Sequence, residues 1–165
     1  MKAIQLQTPT KIISGGQTSA DRAGLDFAIK HDIPHGGWIP KGRKTEYGRL
    51  PDRYQLQEMP TLEYSKRTEQ NVLDSDGTLI VSYEHLTGGS ALTEYLAEKH
   101  DKPCIHIDLS NLTIGEASII INNWIQRHKI AILNIAGPRD SKDPMIYQAT
   151  MDLLEAAFPL NKANQ

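Results

Sequence analysis

The stretch of sequence that decides the fold is Lys11-Ile12-Ile13-Ser14-Gly15-Gly16-Gln17-Thr18-Ser19-Ala20-Asp21-Arg22. Ile12 and Ile13 are β-branched and apolar, which is typical of a buried parallel strand. The two glycines that follow allow a tight turn, a positive φ or the close approach of a ligand to the backbone. Thr18 and Asp21 have the spacing of a capping pair. The stretch therefore predicts a strand, a glycine turn and the start of a helix.

A helix that starts directly after such a turn leaves unpaired backbone N–H groups and the positive end of its dipole facing outward. This arrangement binds anions. Because glycine pairs also form plain turns, this stretch alone leaves the anion site and the plain turn equally open.

Composition excludes several classes of protein. The chain has 165 residues and a formal net charge of -2, which argues against a general nucleic-acid binder. Cys104 is the single cysteine, so no internal disulfide can form and a reducing compartment fits. No apolar run approaches the length of a membrane span, and the first ten residues lack a signal-peptide core. We expect a cytoplasmic protein that has neither a nucleic-acid nor a membrane partner.

Strand and helix patterns alternate along the chain. We predict further strands at residues 78–81, 105–107 and 130–135, and helices that begin near Tyr64, Gly88, Thr113 and Asp143. Thr113 with Glu116 predicts a capping box, and Asp143 before Pro144 predicts an N-cap. Alternating strands and helices predict an α/β fold, a parallel sheet with helices on both faces. We divide the chain into residues 1–10, a tail or edge segment, and residues 11–165, a single domain.

Residues 32–62 show no clear hydrophobic period. Trp38 and Tyr54 would be unusual in a disordered linker, so we predict an ordered loop that faces a ligand. The cations Lys41, Arg43 and Lys44 could close over an anion or form a solvated turn, and the sequence leaves both open.

Three glycine-containing loops follow predicted strands. They are Ser14-Gly15-Gly16, Gly88-Gly89-Ser90 and residues 136–142, which include Gly137, Arg139 and Lys142. The carboxyl ends of parallel strands meet at one edge of the sheet, where ligands bind in such folds. The three loops therefore predict a binding site at one rim. The G-x-G-x-x-G and G-x-x-x-x-G-K-[ST] patterns are absent, which disfavours a nicotinamide oxidoreductase and an NTPase. The scattered histidines predict no metal site.

Motifs along the chain resemble a known family. They are Ile13-Ser14-Gly15-Gly16-Gln17-Thr18, Ala20-Asp21-Arg22, His35-Gly36-Gly37-Trp38, Pro40-Lys41-Gly42-Arg43, Arg67-Thr68, Asn71-Val72, Asp74-Ser75-Asp76, Leu86-Thr87-Gly88-Gly89 and Asn134-Ile135-Ala136-Gly137-Pro138-Arg139. This set is similar to the putative molybdenum carrier family, which is grouped with circularly permuted YpsA-like proteins of the SLOG superfamily. The similarity covers nearly the whole chain after Thr10.

The resemblance implies a Rossmann-like fold and a pocket for a nucleotide or a phosphorylated pterin such as molybdenum cofactor. It also implies a homo-oligomer, because related Rossmann-like proteins often form one. Two positions depart from the family pattern. Ser19 stands where we expect glycine, which argues against a left-handed backbone there, and Ser90 replaces a threonine but keeps the hydroxyl.

Some SLOG relatives are phosphoribohydrolases with the signature Pro-Gly-Gly-x-Gly-Thr-x-x-Glu. In this chain Tyr95 falls at the glutamate position, and Glu94 lies one residue early, a rotation of about 100° on a helix. The broken signature favours a binding role over catalysis. Cleavage of a nucleotide's N-glycosidic bond, with Glu94 or Asp21 as the carboxylate, stays open, as does an interaction module without a small-molecule ligand.

The leading hypothesis is a protein that binds a phosphate-bearing small molecule. Its predicted ligand-binding residues are Ser14, Gly15, Gly16, Thr18, Asp21, Arg22, Lys41, Arg43, Arg67, Gly88, Gly89, Ser90, Gly137 and Arg139. The glycines, serines and Thr18 would donate backbone and hydroxyl hydrogen bonds, and the cations would neutralise the phosphate. The sequence does not distinguish a nucleotide from a molybdopterin-type ligand.

Overall fold

The chain alternates strands and helices, as the sequence predicts. The structure, a computed structural model, describes residues 6–160. Its strands are β1 (Lys11–Ser14), β2 (His35–Gly36), β3 (Trp38–Ile39), β4 (Lys44–Thr45), β5 (Gly48–Arg49), β6 (Gln57–Glu58), β7 (Gly77–Ser82), β8 (Cys104–Asp108) and β9 (Ile132–Ala136). Its helices are α1 (Ala20–Lys30), α2 (Tyr64–Asp74), α3 (Gly88–Lys99), α4 (Ile114–His128) and α5 (Ile146–Ala157).

Five of these strands form a parallel sheet in the order β2-β1-β9-β7-β8. Helices α1, α4 and α5 pack together over one face of the sheet, and α2 packs against α3. The larger core joins Phe27, Ile121 and Leu153 of the first group to sheet residues such as Leu133. The fold is therefore the predicted Rossmann-like α/β arrangement, with helices on both faces. It brings the loops after β1, β7 and β9 to one edge of the sheet.

The division of the chain at residue 10 stays a prediction. Residues 1–5 lie outside the described part of the chain. Residues 6–10 belong to no strand, although the N–H of Thr10 donates to the carbonyl oxygen of Ala131 at 2.9 Å.

Residues 32–62 contain short strands and a small core of their own. Strand β3 pairs with β6, and β4 pairs with β5. Ile39, Leu50, Tyr54 and Leu56 pack together with Leu25 of α1. This explains why the segment is ordered although its sequence has no period: each of its strands is only two residues long.

Arg43 lies inside this segment and not at a ligand site. Its guanidinium donates to the carbonyl oxygens of Leu50 at 3.2 Å, Pro51 at 2.9 Å, Tyr54 at 2.7 Å and Leu56 at 3.3 Å. A buried arginine with so many acceptors stabilises the loop around it. The alternative that Arg43 closes over an anion is therefore not supported by its contacts.

Of the predicted caps, one is present and two are wrong. The Thr113 hydroxyl accepts from the N–H of Glu116 at 3.1 Å, and the Glu116 carboxylate accepts from the N–H of Thr113 at 2.9 Å, which completes the capping box. Helix α5 instead begins at Ile146, because Asp143 accepts from the N–H of Met145 at 3.1 Å in a turn before the helix. This is the local Asx geometry that competes with capping.

The predicted Thr18–Asp21 cap does not form. The N-cap residue of α1 is Ser19, without a side-chain cap bond, and its φ is 66°. The expectation that serine at this position excludes a left-handed backbone is therefore wrong. The strain is retained because Ser19 joins two ordered pieces, the glycine turn after β1 and helix α1.

Replacing Ser19 with glycine should stabilise the protein. Glycine adopts a positive φ without steric cost, so we expect the free energy of unfolding to rise by about 1 kcal/mol. Urea denaturation of the variant and the parent protein measures this change. The loss of the long hydrogen bond from the Ser19 hydroxyl to the carbonyl oxygen of Asp143, 3.4 Å, subtracts little. An unchanged or lower midpoint would contradict the strain at this residue.

Candidate functional site

The loops after β1, β7 and β9 converge on one cavity of about 260 Å³. Gly15 follows β1, Gly89 lies at the start of α3, and Gly137 follows β9; all three line the cavity. Helix α2 closes one side with Tyr64 and Arg67. The sequence prediction that these loops meet at one rim agrees with this geometry.

The first loop is already occupied by a side chain of the protein. The Asp21 carboxylate accepts from the N–H of Gln17 at 3.3 Å and also from the N–H of Gly15. The N–H of Gly16 donates to the Ser14 hydroxyl at 3.3 Å. The N–H of Thr18 donates to the side-chain oxygen of Gln17 at 3.2 Å. Asp21 therefore takes the position over the loop that the sequence assigned to an external anion.

The hydroxyl groups of this loop are also paired within the chain. The Ser14 hydroxyl donates to the carbonyl oxygen of Asp21 at 2.9 Å, and the Thr18 hydroxyl donates to the Glu46 carboxylate. Gly16 has a φ of 70° and packs against side chains of residues 39–56. The donors of Ser14, Gly16 and Thr18, which were expected to be free for a ligand, are therefore paired within the chain. Asp21 was expected to cap a helix, and its side chain instead turns back over the loop.

The second loop, at the start of α3, keeps its donors unpaired. The N-cap residue Thr87 makes no side-chain cap bond. No acceptor among the described residues pairs with the N–H groups of Gly88, Gly89 and Ser90. Gly89 and Ser90 line the cavity. Helix α3 has 12 residues, so its positive dipole end adds to the attraction of these donors for an anion.

Two cations of the third loop lie beside this helix start. Arg139 and Lys142 both line the cavity. The Lys142 ammonium is so close to Gly88 that a Cβ at that glycine would lie 2.7 Å from it. Arg139 also forms an ion pair with Glu46, with 3.8 Å between its Nε and a carboxylate oxygen. Hydrogen bonds and charge from Thr18, Ser141 and Arg139 keep the pKa of Glu46 below its usual value in spite of burial.

Arg67 of α2 enters the cavity from the opposite side. It is only 8% exposed, and its guanidinium donates to the carbonyl oxygen of Gly15. The glycine leaves room for it, since a Cβ at Gly15 would lie 2.7 Å from the central guanidinium carbon. The guanidinium also lies 5.4 Å from the centre of the Tyr64 ring. Arg67, which the sequence analysis listed as a ligand-binding residue, therefore lies at the rim of the cavity.

Asp21 is a buried acid in the same cavity. Burial raises its pKa from 3.8 to about 6, although Arg67, Arg22 and the loop N–H groups oppose this rise. At pH 7 the carboxylate is therefore charged and carries a cost of burial. A buried charged group inside a cavity is a frequent property of functional sites.

Other predicted site residues lie outside the cavity lining. Arg22 lies over the ring of Tyr54, with 4.9 Å between its guanidinium carbon and the ring centre. Lys41 is exposed in the segment before β4, and Glu94 is exposed on α3. Neither Glu94 nor Lys41 contributes to the cavity. The assignment of these residues to a site stays a prediction without a contact that supports it.

Asn134 was not predicted as a site residue, although it lies on β9 and lines the cavity. Its side-chain amide donates to the Thr78 hydroxyl at 3.1 Å. A polar residue within the apolar strand Ile-Leu-Asn-Ile-Ala is the signal that could have found it, because buried amides need a partner or a ligand. Gln17, Tyr64, Thr87 and Thr93 also line the cavity and were not predicted.

A parallel sheet with a polar cavity at the carboxyl ends of its strands places the chain in the class of Rossmann-like α/β proteins. The model of the circularly permutated YpsA SLOG family matches residues 12–158. The chain therefore belongs to that family, and the resemblance found in the sequence is confirmed.

A crystal structure of a protein from Syntrophus aciditrophicus SB is similar to this chain. That protein carries the name putative molybdenum carrier protein, and the sequences are 68% identical. The similarity covers 91% of this chain and 95% of the other, with a TM-score of 0.90. No curated protein matches the sequence.

The described residues contain neither a membrane-spanning helix nor a cluster of metal ligands. Within residues 6–160, none of the helices combines the length and the apolar character that crossing a bilayer requires. The same residues contain no group of three or more His, Cys, Asp and Glu side chains that could hold a metal ion.

Proposed function

We propose that this protein binds a phosphate-bearing small molecule, a nucleotide or a molybdopterin-type cofactor, as a binding or carrier protein. One observation carries the proposal: Gly89 and Ser90, whose N–H groups at the start of α3 have no acceptor among the described residues, line the same cavity as Arg139 and Lys142. A phosphate there accepts hydrogen bonds from the backbone and neutralises both cations.

The energetics favour an anion at this end of the cavity. Hydrogen bonds to charged groups contribute about 1.5–3 kcal/mol each, and the helix dipole adds about 0.3–1 kcal/mol. The first loop does not compete, because Asp21 already accepts its N–H groups. The phosphate is therefore expected at α3 and the third loop rather than at the loop after β1.

The molybdenum carrier name of the similar protein supports a small-molecule cargo. A nucleotide and a molybdopterin-type cofactor both contain a phosphate joined to a nitrogen heterocycle. The site offers hydrogen-bond donors for the phosphate and polar side chains for the heterocycle. The hydrolase alternative is not taken up. Of its two candidate carboxylates, Glu94 is exposed on α3 outside the cavity, and Asp21, which lines the cavity, already accepts from the N–H groups of the first loop.

Removing either cation should weaken binding. We expect Arg139→Ala and Lys142→Ala each to raise the Kd for GMP or for molybdenum cofactor about tenfold or more, equivalent to about 1.4 kcal/mol or more. Titration calorimetry measures the affinity. Thermal unfolding checks that a saturating ligand stabilises the folded protein.

Lys41→Ala is the matched control, since it removes an exposed cation that does not line the cavity. Its Kd should equal that of the parent protein. Equal weakening by all three substitutions would point to general charge attraction and contradict the site, and so would the absence of binding by every phosphorylated ligand tested.

A further inference from the structure

The cavity has a second polar end, formed by Asp21 of α1 and Arg67 of α2. Each side chain is 8% exposed and lines the cavity. The proposed phosphate site, at the start of α3 and the third loop, uses neither of them. Burying an ionised carboxylate and a guanidinium is costly unless both are well paired, so these residues need an explanation beyond the phosphate.

Arg67 is incompletely paired. Its guanidinium has five N–H donors, and the carbonyl oxygen of Gly15 is its acceptor among the described residues. The remaining N–H groups therefore have no acceptor in the described part of the chain. A nine-tenths buried arginine that lines a cavity and has unpaired donors indicates a ligand acceptor there.

Asp21 and Arg67 do not pair with each other. Both are described residues, and no ion pair within 4.0 Å joins them. The two charges interact without a direct hydrogen bond. Burial raises the pKa of the Asp21 carboxyl, and the positive charge of Arg67 partly opposes this rise. The cavity thus contains the Asp21 carboxylate as an acceptor and the Arg67 guanidinium as a donor, and the two do not form a salt bridge with each other.

We propose that Asp21 and Arg67 form a subsite that binds the lactam edge of the ligand's heterocycle, the N–H group beside a carbonyl oxygen found in guanine, hypoxanthine and pterins. The inference rests on the proposed function, since it concerns the other end of the same ligand. The Asp21 carboxylate accepts from the ring N–H, and the Arg67 guanidinium donates to the carbonyl oxygen. Arg67 already makes this kind of bond with the carbonyl oxygen of Gly15.

The charges of the subsite also select against other ligands. Ionised Asp21 repels a second phosphate or a carboxylate and Arg67 repels a cation, so the two charges together favour an uncharged group that has both a donor and an acceptor. Adenine presents an unprotonated ring nitrogen and an amino group where the lactam presents N–H and oxygen. A site built around fixed hydrogen-bond partners discriminates strongly against a ligand that leaves them unpaired.

The experiment compares IMP with AMP, which share ribose and phosphate and differ at the lactam edge, with GMP as a second lactam ligand. At about pH 7.5, above the pKa of Asp21, titration calorimetry should give a Kd for IMP and for GMP about tenfold or more below that for AMP. In Asp21→Asn and in Arg67→Lys this preference should fall to about threefold or less. The preference compares two ligands on one protein, so a merely structural role of either residue would not change it.

Asp152→Asn is the matched control, because it removes an exposed carboxylate of α5 away from the cavity; its preference should equal that of the parent protein. Equal affinity for IMP and AMP, tighter binding of AMP, or a preference that persists in Asp21→Asn would each overturn the subsite while leaving the phosphate site standing. Binding of none of the three nucleotides or of molybdenum cofactor would instead remove the proposed function together with the subsite.

Discussion

Asp21→Asn should raise the free energy of unfolding at about pH 7.5 by about 3 kcal/mol. Burial raises the pKa of Asp21 from 3.8 to about 6 in the folded protein, and each pKa unit corresponds to about 1.4 kcal/mol. The charged carboxylate therefore costs stability, and the neutral amide of asparagine avoids that cost. Its side-chain oxygen still accepts from the loop N–H groups.

The pH dependence of this effect has a definite sign. Between pH 3.8 and about 6 the folded protein binds more protons at Asp21 than the unfolded chain. The contribution of this group to stability therefore falls as pH rises through that interval, and the full cost is present above about pH 6. The stability advantage of Asp21→Asn should grow by about 2 kcal/mol between about pH 4.5 and pH 7.5.

Urea denaturation of the parent protein and of Asp21→Asn between about pH 4.5 and pH 7.5 gives the free energy of unfolding of each protein as a function of pH. Other titrating groups cancel in the difference between the two proteins, and Asp152→Asn provides the control with an exposed carboxylate. A variant that is less stable than the parent protein at every pH would show that the Asp21 carboxylate stabilises the fold, which contradicts the burial argument. We interpret the cost as one that the site retains for ligand binding.

Gly37→Ala should lower the free energy of unfolding by about 3 kcal/mol or more, near the upper end of single substitutions. Gly37 lies between β2 and β3 with a φ of 123°, which L-residues rarely adopt. A Cβ at this position would overlap the carbonyl oxygen of Ser14 and lie 3.0 Å from its nitrogen. Ser14 ends β1, so the backbone of the central sheet would have to move.

Gly115→Ala is the control for this substitution. Gly115 lies in the first turn of α4, and the nearest atom to an added Cβ is the Thr113 hydroxyl oxygen at 4.0 Å. The stability of this variant should stay within about 0.5 kcal/mol of the parent protein or rise slightly. Chemical denaturation distinguishes the two glycines. Similar small effects at both positions would contradict the close approach of Gly37 to β1.

The sheet and the meeting of the three loops could be predicted because local sequence encodes them. Apolar β-branched runs such as Ile12-Ile13 mark strands, and their order fixes which loops share an edge. The capping box at Thr113 and Glu116 uses only residues three positions apart, which is why it too was predicted.

The parts that could not be predicted depend on contacts that are distant in sequence. Thr18 donates to Glu46 instead of capping α1, and Arg43 donates to carbonyl groups up to 13 residues away. The turn of Asp21 over the first glycine loop is itself local, but the Arg67 charge that lowers its pKa comes from α2, which is distant in sequence. Capping and charge patterns do not reveal such distant contacts. The sequence therefore predicted that the first loop binds the anion, whereas in the structure the start of α3 is better placed to bind it.

A crystal structure of the protein with GMP would show directly where the phosphate binds. We expect the phosphate oxygens to accept from the N–H groups of Gly89 and Ser90 and to lie within hydrogen-bond distance of Arg139 or Lys142. A phosphate bound at any other place on the protein would contradict the proposed site, and so would a cavity that stays empty at saturating GMP and with every other phosphorylated ligand tested.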